Sequence, residues 1–271
     1  MRRLAFVCLK GGSSKTTSAT AVAIGLARRG KRTLLIDADQ QANATWTILE
    51  GQGATSPTLA DVLMRRSSAV EAIRSTSRPG LDLLPASAEL GGCNVALAQE
   101  LARDTRLRSA LAGIEGQYDH LIVDTGPAFS TVLANVLVAV EEVIVPVDPG
   151  VYALLGLAQL QETLAEVREA YGNDALRLAG VLLTKVQRNT VTRDIEAELR
   201  SRFGPLVFTA TIPLSVKVEE ACSRGTTVMD HAPKSAAAVA YSQIVEEILH
   251  DRTKKRSRVK AVGRSGEIDA A

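Results

Sequence analysis

Aromatic residues and cysteine are scarce in this sequence. Of 271 residues, 3% are aromatic and three are cysteines, Cys8, Cys93 and Cys222. An odd number of widely separated cysteines argues against a disulfide framework and suits a reducing cytoplasm. The three histidines, His120, His231 and His250, also lie far apart, so neither residue type shows the spacing of a metal site. No apolar run reaches the ~18 residues of a membrane-spanning helix. The apolar stretch after the basic start MRRLAFVCLKGG is too short for a signal peptide, and none is expected. There is no internal repeat, and the one linker-like stretch, residues 51–58, is expected as a surface loop. What is present is ordinary for a globular chain: 46% hydrophobic and 23% charged residues. The length favours one large domain with a core that needs no disulfide or structural metal.

The net charge of +2 conceals an asymmetry. Residues 252–264, RTKKRSRVKAVGR, hold seven of the 32 basic residues and no acid, and two of the 30 acids follow them. Residues 1–251 are therefore left at −3, 25 basic against 28 acidic. The expected organisation is a domain over 1–251 and a basic, disordered tail over 252–271. Such a tail either only aids solubility or tethers the domain to a polyanion, DNA or an anionic membrane. For an interfacial helix it has too little apolar surface, Val259 and Val262 alone.

Short runs that are apolar throughout alternate with helical patterns. Strands are predicted at 4–9, 33–36, 81–84, 120–123, 143–147, 178–183 and 207–212. Helices are predicted at 18–29, 58–66, 87–113 (interrupted at Gly91-Gly92), 130–140, 152–171, 190–203, 215–223 and 234–250. This is the signature of an α/β protein with a mostly parallel twisted sheet and helices on both faces. In such sheets ligands bind beyond the carboxyl ends of the strands. Lys10 to Lys15, Asp37, Asp39, Asp124 and Thr184 all follow predicted strands, so they are expected to converge on one sheet edge.

A strand, a glycine-containing loop, Lys-Thr and a helix follow one another at 4–29, the order a phosphate-binding loop requires. The loop amides of Gly11, Gly12, Ser13 and Ser14 would cradle phosphate oxygens, aided by the helix N-terminus. Lys15 would reach the β- and γ-phosphates, Thr16 would bind Mg²⁺ and Thr17 would reach the α-phosphate. The usual pattern G-x-x-x-x-G-K-[ST] is not met, because Leu9 and Ser14 stand at its glycine positions. Asp37 and Asp39 lie two apart at a strand end, and Asp124 follows the apolar run Leu121-Ile122-Val123 as a magnesium-organising carboxylate does. Capping of a following helix is the alternative use of Asp37, Asp39 or Asp124. Cys8 is expected as plain packing in a buried strand.

The loop carries a second lysine, Lys10, in KGGSSKTT at 10–17. With LLIDADQQANAT at 34–45, YDHLIVDTGP at 118–127, VPVDPGVYALLGL at 145–157, GVLLTK at 180–185 and IPLSVKVEEACSRG at 212–225, the chain resembles the ParA/MinD class of deviant Walker ATPases over about 1–250. Within that class it resembles the ParA partition family. The resemblance implies a P-loop NTPase fold, ATP and Mg²⁺ as cofactors, and slow hydrolysis of ATP to ADP and phosphate. It implies that Asp39 polarises the attacking water, that Asp37 supports the Mg²⁺ shell held by Thr16 and Asp124, and that Thr184 and Pro213 lie near the adenine. It also implies that Lys10 crosses a dimer interface to the partner's nucleotide, so that ATP joins two protomers; a solvent-facing Lys10 is the bland alternative. The chain departs from the family at Ser14, usually Gly, and at Gln40, usually Pro. If position 14 needs φ > 0, Ser costs roughly 1 kcal/mol or more that Gly would not. The lack of cysteines at cluster spacing separates the chain from the nitrogenase iron protein.

The first strand begins near residue 4, so operator reading by an N-terminal helix-turn-helix is not expected. The resemblance implies nonspecific DNA binding by the ATP dimer, through Arg188, Arg193, Lys217 and Arg224, with Arg200 and Arg202 nearby. It also implies a ParB-like, centromere-bound partner that stimulates hydrolysis, and a cytoplasmic, nucleoid-associated protein without a membrane contact. The competing readings are a membrane-associated positioning ATPase like MinD, a ligase-type synthetase of the same fold, and a nucleotide-binding switch that does not hydrolyse.

Overall fold

A computed structural model describes residues 1–150 and 152–250; the basic tail expected at 252–271 lies outside the described residues. The strands are β1 (Arg2–Phe6), β2 (Thr33–Ala38), β3 (Arg74–Ser75), β4 (Leu81–Leu84), β5 (His120–Thr125), β6 (Glu142–Val147) and β7 (Arg177–Leu183). They form one twisted sheet in the order β3-β4-β2-β5-β1-β6-β7. Every pairing is parallel except that of the two-residue edge strand β3 with β4. A parallel neighbour requires a crossover, and helices supply most of them: α1 (Lys15–Ala27) after β1, α7 (Thr131–Ala139) after β5 and α8 (Ala153–Tyr171) after β6. The remaining helices are α2 (Asn43–Ile48), α3 (Leu59–Leu63), α4 (Ala69–Ala72), α5 (Leu90–Ala96), α6 (Arg106–Leu111), α9 (Thr190–Phe203), α10 (Val216–Ser223), α11 (Val228–His231) and α12 (Ala236–Leu249).

Alternation along each strand divides the core into two layers. Ala5, Leu34, Ile36, Leu121 and Val123 face the layer of α7 and α8, while Leu4, Phe6, Leu35 and Ile122 face that of α1 and α12. Because both faces are covered, the strands read as continuous apolar runs. On α8, Leu157, Leu160, Leu164 and Val167 recur at helical spacing and are buried. Each such side chain contributes roughly 1.5–3 kcal/mol on leaving water, which is enough to fix which helix face meets the sheet. On the other side Gly25 of α1 lets α12 approach: a Cβ there would lie 2.5 Å from Val245 Cγ2.

Four expectations need correction. Residues 207–212 are not a strand of the sheet. Phe208 and Ile212 donate backbone bonds of 2.9 Å to Val181 and Leu183, and the Ile212 carbonyl accepts from Val186 N at 3.0 Å, but the groups between Phe208 and Ala210 turn to side chains. Arg200 donates to the Phe208 carbonyl, and Glu247 accepts from the Thr209 and Ala210 amides at 3.1 Å. The Phe208 ring sits on Gly180, where a Cβ would lie 2.4 Å from it. The seventh strand is β3 instead. Second, the helix predicted over 87–113 is α5, α6 and two 3-10 turns. Gly91-Gly92 lie inside α5, and the break falls around Ala102, whose φ is 54°. Third, α2 was not anticipated; its six residues are too few to show a helical period. Fourth, the first strand ends at Phe6, so Cys8 is half-buried in the loop beyond it. The stretch at 51–58 is a loop, as expected.

Candidate functional site

The P-loop leaves β1 beside β6, tied by Val7 N donating to the Ile144 carbonyl at 3.0 Å. It enters α1 directly at Lys15. Two of its residues are left-handed, Gly12 at φ 71° and Ser14 at φ 67°. Position 14 therefore does need φ > 0, and a serine holds a conformation that glycine adopts without strain. Ser14 is the N-cap of α1, yet its side chain makes no capping bond, and the first turn contains no acid. The uncapped amides and the helix dipole make this end an anion site. Lys15 is 6% exposed. Its ammonium donates to the Lys10 carbonyl at 3.4 Å and has no ion pair among the described residues. A buried cation without a contact ion pair is costly, which favours an anionic ligand beside it.

The carboxylates gather at the same edge. Asp37 and Asp124 are register partners on β2 and β5, and Asp124 also lies level with Phe6 at the end of β1. Asp37 accepts from the Thr45 amide and hydroxyl, both at 2.7 Å, and from the Asp39 amide at 3.2 Å. It thus ties β2 to the start of α2, which is the capping use of this aspartate. Burial nevertheless raises its pKa to about 6, against the pull of those donors. Asp124 is also fully buried, and neither oxygen has a hydrogen bond of normal geometry. Burial, and then the charge of Asp37, push its pKa well up; the Thr16 hydroxyl and Lys15 oppose this. Ser130 caps α7 itself through Leu133 N at 3.2 Å, so Asp124 is not used there. An orphaned carboxylate facing Thr16 and Lys15 fits a hydrated divalent cation, which would be held by Thr16 and Asp124. Asp39 is 8% exposed and accepts from the Gln41 amide at 3.0 Å.

A cavity of about 540 Å³ opens over the loop, within the size range of small-ligand sites. Gly11 to Thr17 and Asp39 line it. So do Asn43, Trp46 and Thr47 from α2, Lys185 after β7, and Glu219 and Cys222 from α10. Asn43, Trp46, Thr47, Lys185 and Glu219 were not anticipated as lining residues. The available signal was their position: Asn43 lies inside the second motif and Lys185 ends the fifth. Three predicted residues lie at the margin instead. Lys10 is exposed and lines a neighbouring apolar hollow with Leu9, Tyr152 and Leu155. Thr184 is buried beneath the loop, its hydroxyl donating to the Ser13 carbonyl at 3.4 Å. Pro213 pairs with Val186 beside it.

The basic residues predicted for DNA are all exposed. Arg188, Arg193 and Arg224 have no ion pair among the described residues, whereas Lys217 lies 2.8 Å from Glu220. Arg200 and Arg202 are paired with Glu196 and Glu198. No helix among the described residues is long and apolar enough to cross a membrane.

A parallel α/β sheet whose first strand runs through this loop into a helix, with carboxylates at the ends of two adjoining strands, defines a P-loop NTPase fold. The family model described as an AAA domain matches residues 1–178. The chain is 41% identical to the chromosome-partitioning ATPase Soj of Thermus thermophilus, over 92% of this chain and 96% of that protein. It is 38% identical to the chromosome partitioning protein ParA of Caulobacter vibrioides, over 92% and 94%. A solved structure described as cobyrinic acid a,c-diamide synthase from Mycobacterium smegmatis, with bound ATP analogue and magnesium, superposes with a TM-score of 0.79 at 28% identity over the whole of both chains. This chain belongs to the ParA/Soj family of chromosome-partitioning ATPases.

Proposed function

We propose that the chain is an ATP-hydrolysing DNA-partition switch. ATP bound on the loop Lys10–Thr17 joins two copies, the dimer binds DNA without sequence preference, and a ParB-like centromere-bound partner speeds hydrolysis and releases it. Lys15 binds the phosphate chain. Asp39 orients the attacking water, Asp37 holds the turn that carries Asp39, and Lys10 reaches the partner's nucleotide. Mg²⁺, when held by Thr16 and Asp124, supplies neutralisation of the β- and γ-phosphate oxygens. Thr184 and Pro213 border the adenine. Arg188, Arg193, Lys217 and Arg224 meet DNA phosphates, Lys217 exchanging its bond to Glu220 for one to phosphate.

The observation that carries this reading is the juxtaposition at one strand edge of buried Lys15, which has no ion pair at contact distance among the described residues, and buried Asp124, which has no hydrogen bond of normal geometry. A phosphate–cation complex satisfies both. The exposed, unpaired Lys10 beside them supports a role in trans. Relatives at 38–41% identity are partition proteins by description, which favours partition over a synthetase or a membrane-bound positioning role. The protein is then cytoplasmic and nucleoid-associated.

Electrophoretic shift of unrelated DNA fragments, with and without Mg²⁺-ATP, tests the reading. Wild type is expected to bind only with ATP, and Lys15→Ala not at all. Asp39→Ala is expected to bind and persist, because binding precedes hydrolysis. Affinity should fall steeply with salt. Equal DNA binding with and without nucleotide would overturn the proposal.

A further inference from the structure

We propose that Lys185 is a second cation acting within each protomer on the nucleotide's phosphate chain, complementing Lys15. The inference rests on the nucleotide-binding reading above. Lys185 stands two residues beyond β7 and lines the same cavity as Lys15 and Thr16. Its ammonium is 4.0 Å from where a Cβ on Gly12 would lie, so it stands directly over the backbone of the phosphate loop. Glycine at position 12 suits the loop's left-handed turn there, φ 71°.

The residue is held there by its neighbours. Thr184 N donates to the Val147 carbonyl at 2.8 Å, and Val186 N to the Ile212 carbonyl at 3.0 Å. Between these two anchors Lys185 takes a left-handed backbone, φ 54°, a conformation that a lysine rarely adopts. Among the described residues Lys185 has neither an ion pair nor a side-chain hydrogen bond, although Asp39 and Glu219 line the same cavity. A half-buried ammonium that is positioned by the sheet and left unpaired by the protein is placed for an anion from outside.

The charge balance argues for the same assignment. Lys10 is exposed and lines the adjoining hollow; if it serves the partner's nucleotide, Lys15 is the one loop lysine that remains, beside Mg²⁺, for a polyanion within its own subunit. Lys185 adds a second cation at the stretch of loop that Gly12 contributes.

Isothermal titration calorimetry with ATP, ADP and AMP, on wild type, Lys185→Met, Lys185→Arg and Lys185→Ala, tests this. Methionine keeps the apolar stem and removes the charge. ATP affinity is expected to fall about tenfold or more in Lys185→Met, to recover in Lys185→Arg, and to be little changed for AMP. The difference should shrink at high salt. ATP binding by Lys185→Met equal to wild type would overturn the proposal. So would a loss confined to Lys185→Ala, which would show that the stem matters and the charge does not. Failure of the wild type itself to bind ATP would instead remove the nucleotide reading, a result distinguishable from either.

Discussion

Asp37 and Asp124 face each other in register across β2 and β5, both fully buried, and only Asp37 has hydrogen bonds of normal geometry. Two neighbouring carboxylates in a low-dielectric site raise each other's pKa. The one with donors keeps a place in the fold, and the one without is strained until a cation arrives. Asp124→Asn should therefore stabilise the ligand-free protein at neutral pH by a few degrees in Tm. It should also largely abolish the additional rise that Mg²⁺-ATP causes in the wild type. Thermal melts with and without Mg²⁺-ATP check both; a ligand-free variant that melts lower than wild type would count against the strain.

Ser14 holds φ 67° without using its hydroxyl as a cap. Ser14→Gly removes the left-handed penalty, partly offset by the greater freedom of glycine in the unfolded chain. The expected gain is about 0.5–1 kcal/mol, or roughly 1–3 °C in Tm. Ser14→Ala should give no gain, because alanine keeps the Cβ. Parallel denaturant titrations of the two variants decide it.

Lys10 is exposed beside the loop, while Lys15 is buried in it. The two should separate functionally. Lys10→Ala is expected to retain nucleotide binding by the monomer and to lose ATP-dependent dimerisation in sedimentation velocity. Normal ATP-bound dimers of this variant would end the proposed role in trans.

His120 opens β5 at the sheet edge away from the loop, 8% exposed, with Nδ1 lacking a partner. Burial, and then the charge of Arg2, lower its pKa to about 4. The unfolded chain therefore binds the extra proton first, and stability is lost as pH falls from about 6.5 to about 4. Asp37 acts with the opposite sign: its raised pKa means that stability is lost as pH climbs from about 4 to about 6. Comparing wild type with His120→Leu isolates the histidine. The variant should lose roughly 1–2 kcal/mol less between pH 6.5 and 4, allowing for solvent screening. Chemical denaturation across that range measures it, and parallel curves would refute it.

The strand ends were legible because the information is local. An apolar run of four to six residues followed at once by a lysine-rich loop, an aspartate or a threonine marks both a buried parallel strand and its carboxyl end. The same local signal puts Lys15, Asp37, Asp39, Asp124 and Thr184 at one sheet edge. The strain at Ser14 is also local, since it depends on one residue's φ.

Other features have no local signature. Asp37 is tied down by Thr45, eight residues on and on a helix too short to show a period. Residues 207–212 look like a strand, but Arg200 and Glu247 take up their backbone groups and Phe208 fills the space above Gly180. Lys185 and Trp46 line the cavity because the segment after β7 and the helix α2 are brought to the loop by the fold, and no local pattern marks either. The sequence by itself determined the strand–loop–helix order, the two-layer core and the set of residues at the sheet edge, because hydrophobic period and turn chemistry act over a few residues. Tertiary structure alone decided which carboxylate found donors and which lysines were left without a counter-ion, because those depend on groups brought within about 3–4 Å from distant parts of the chain.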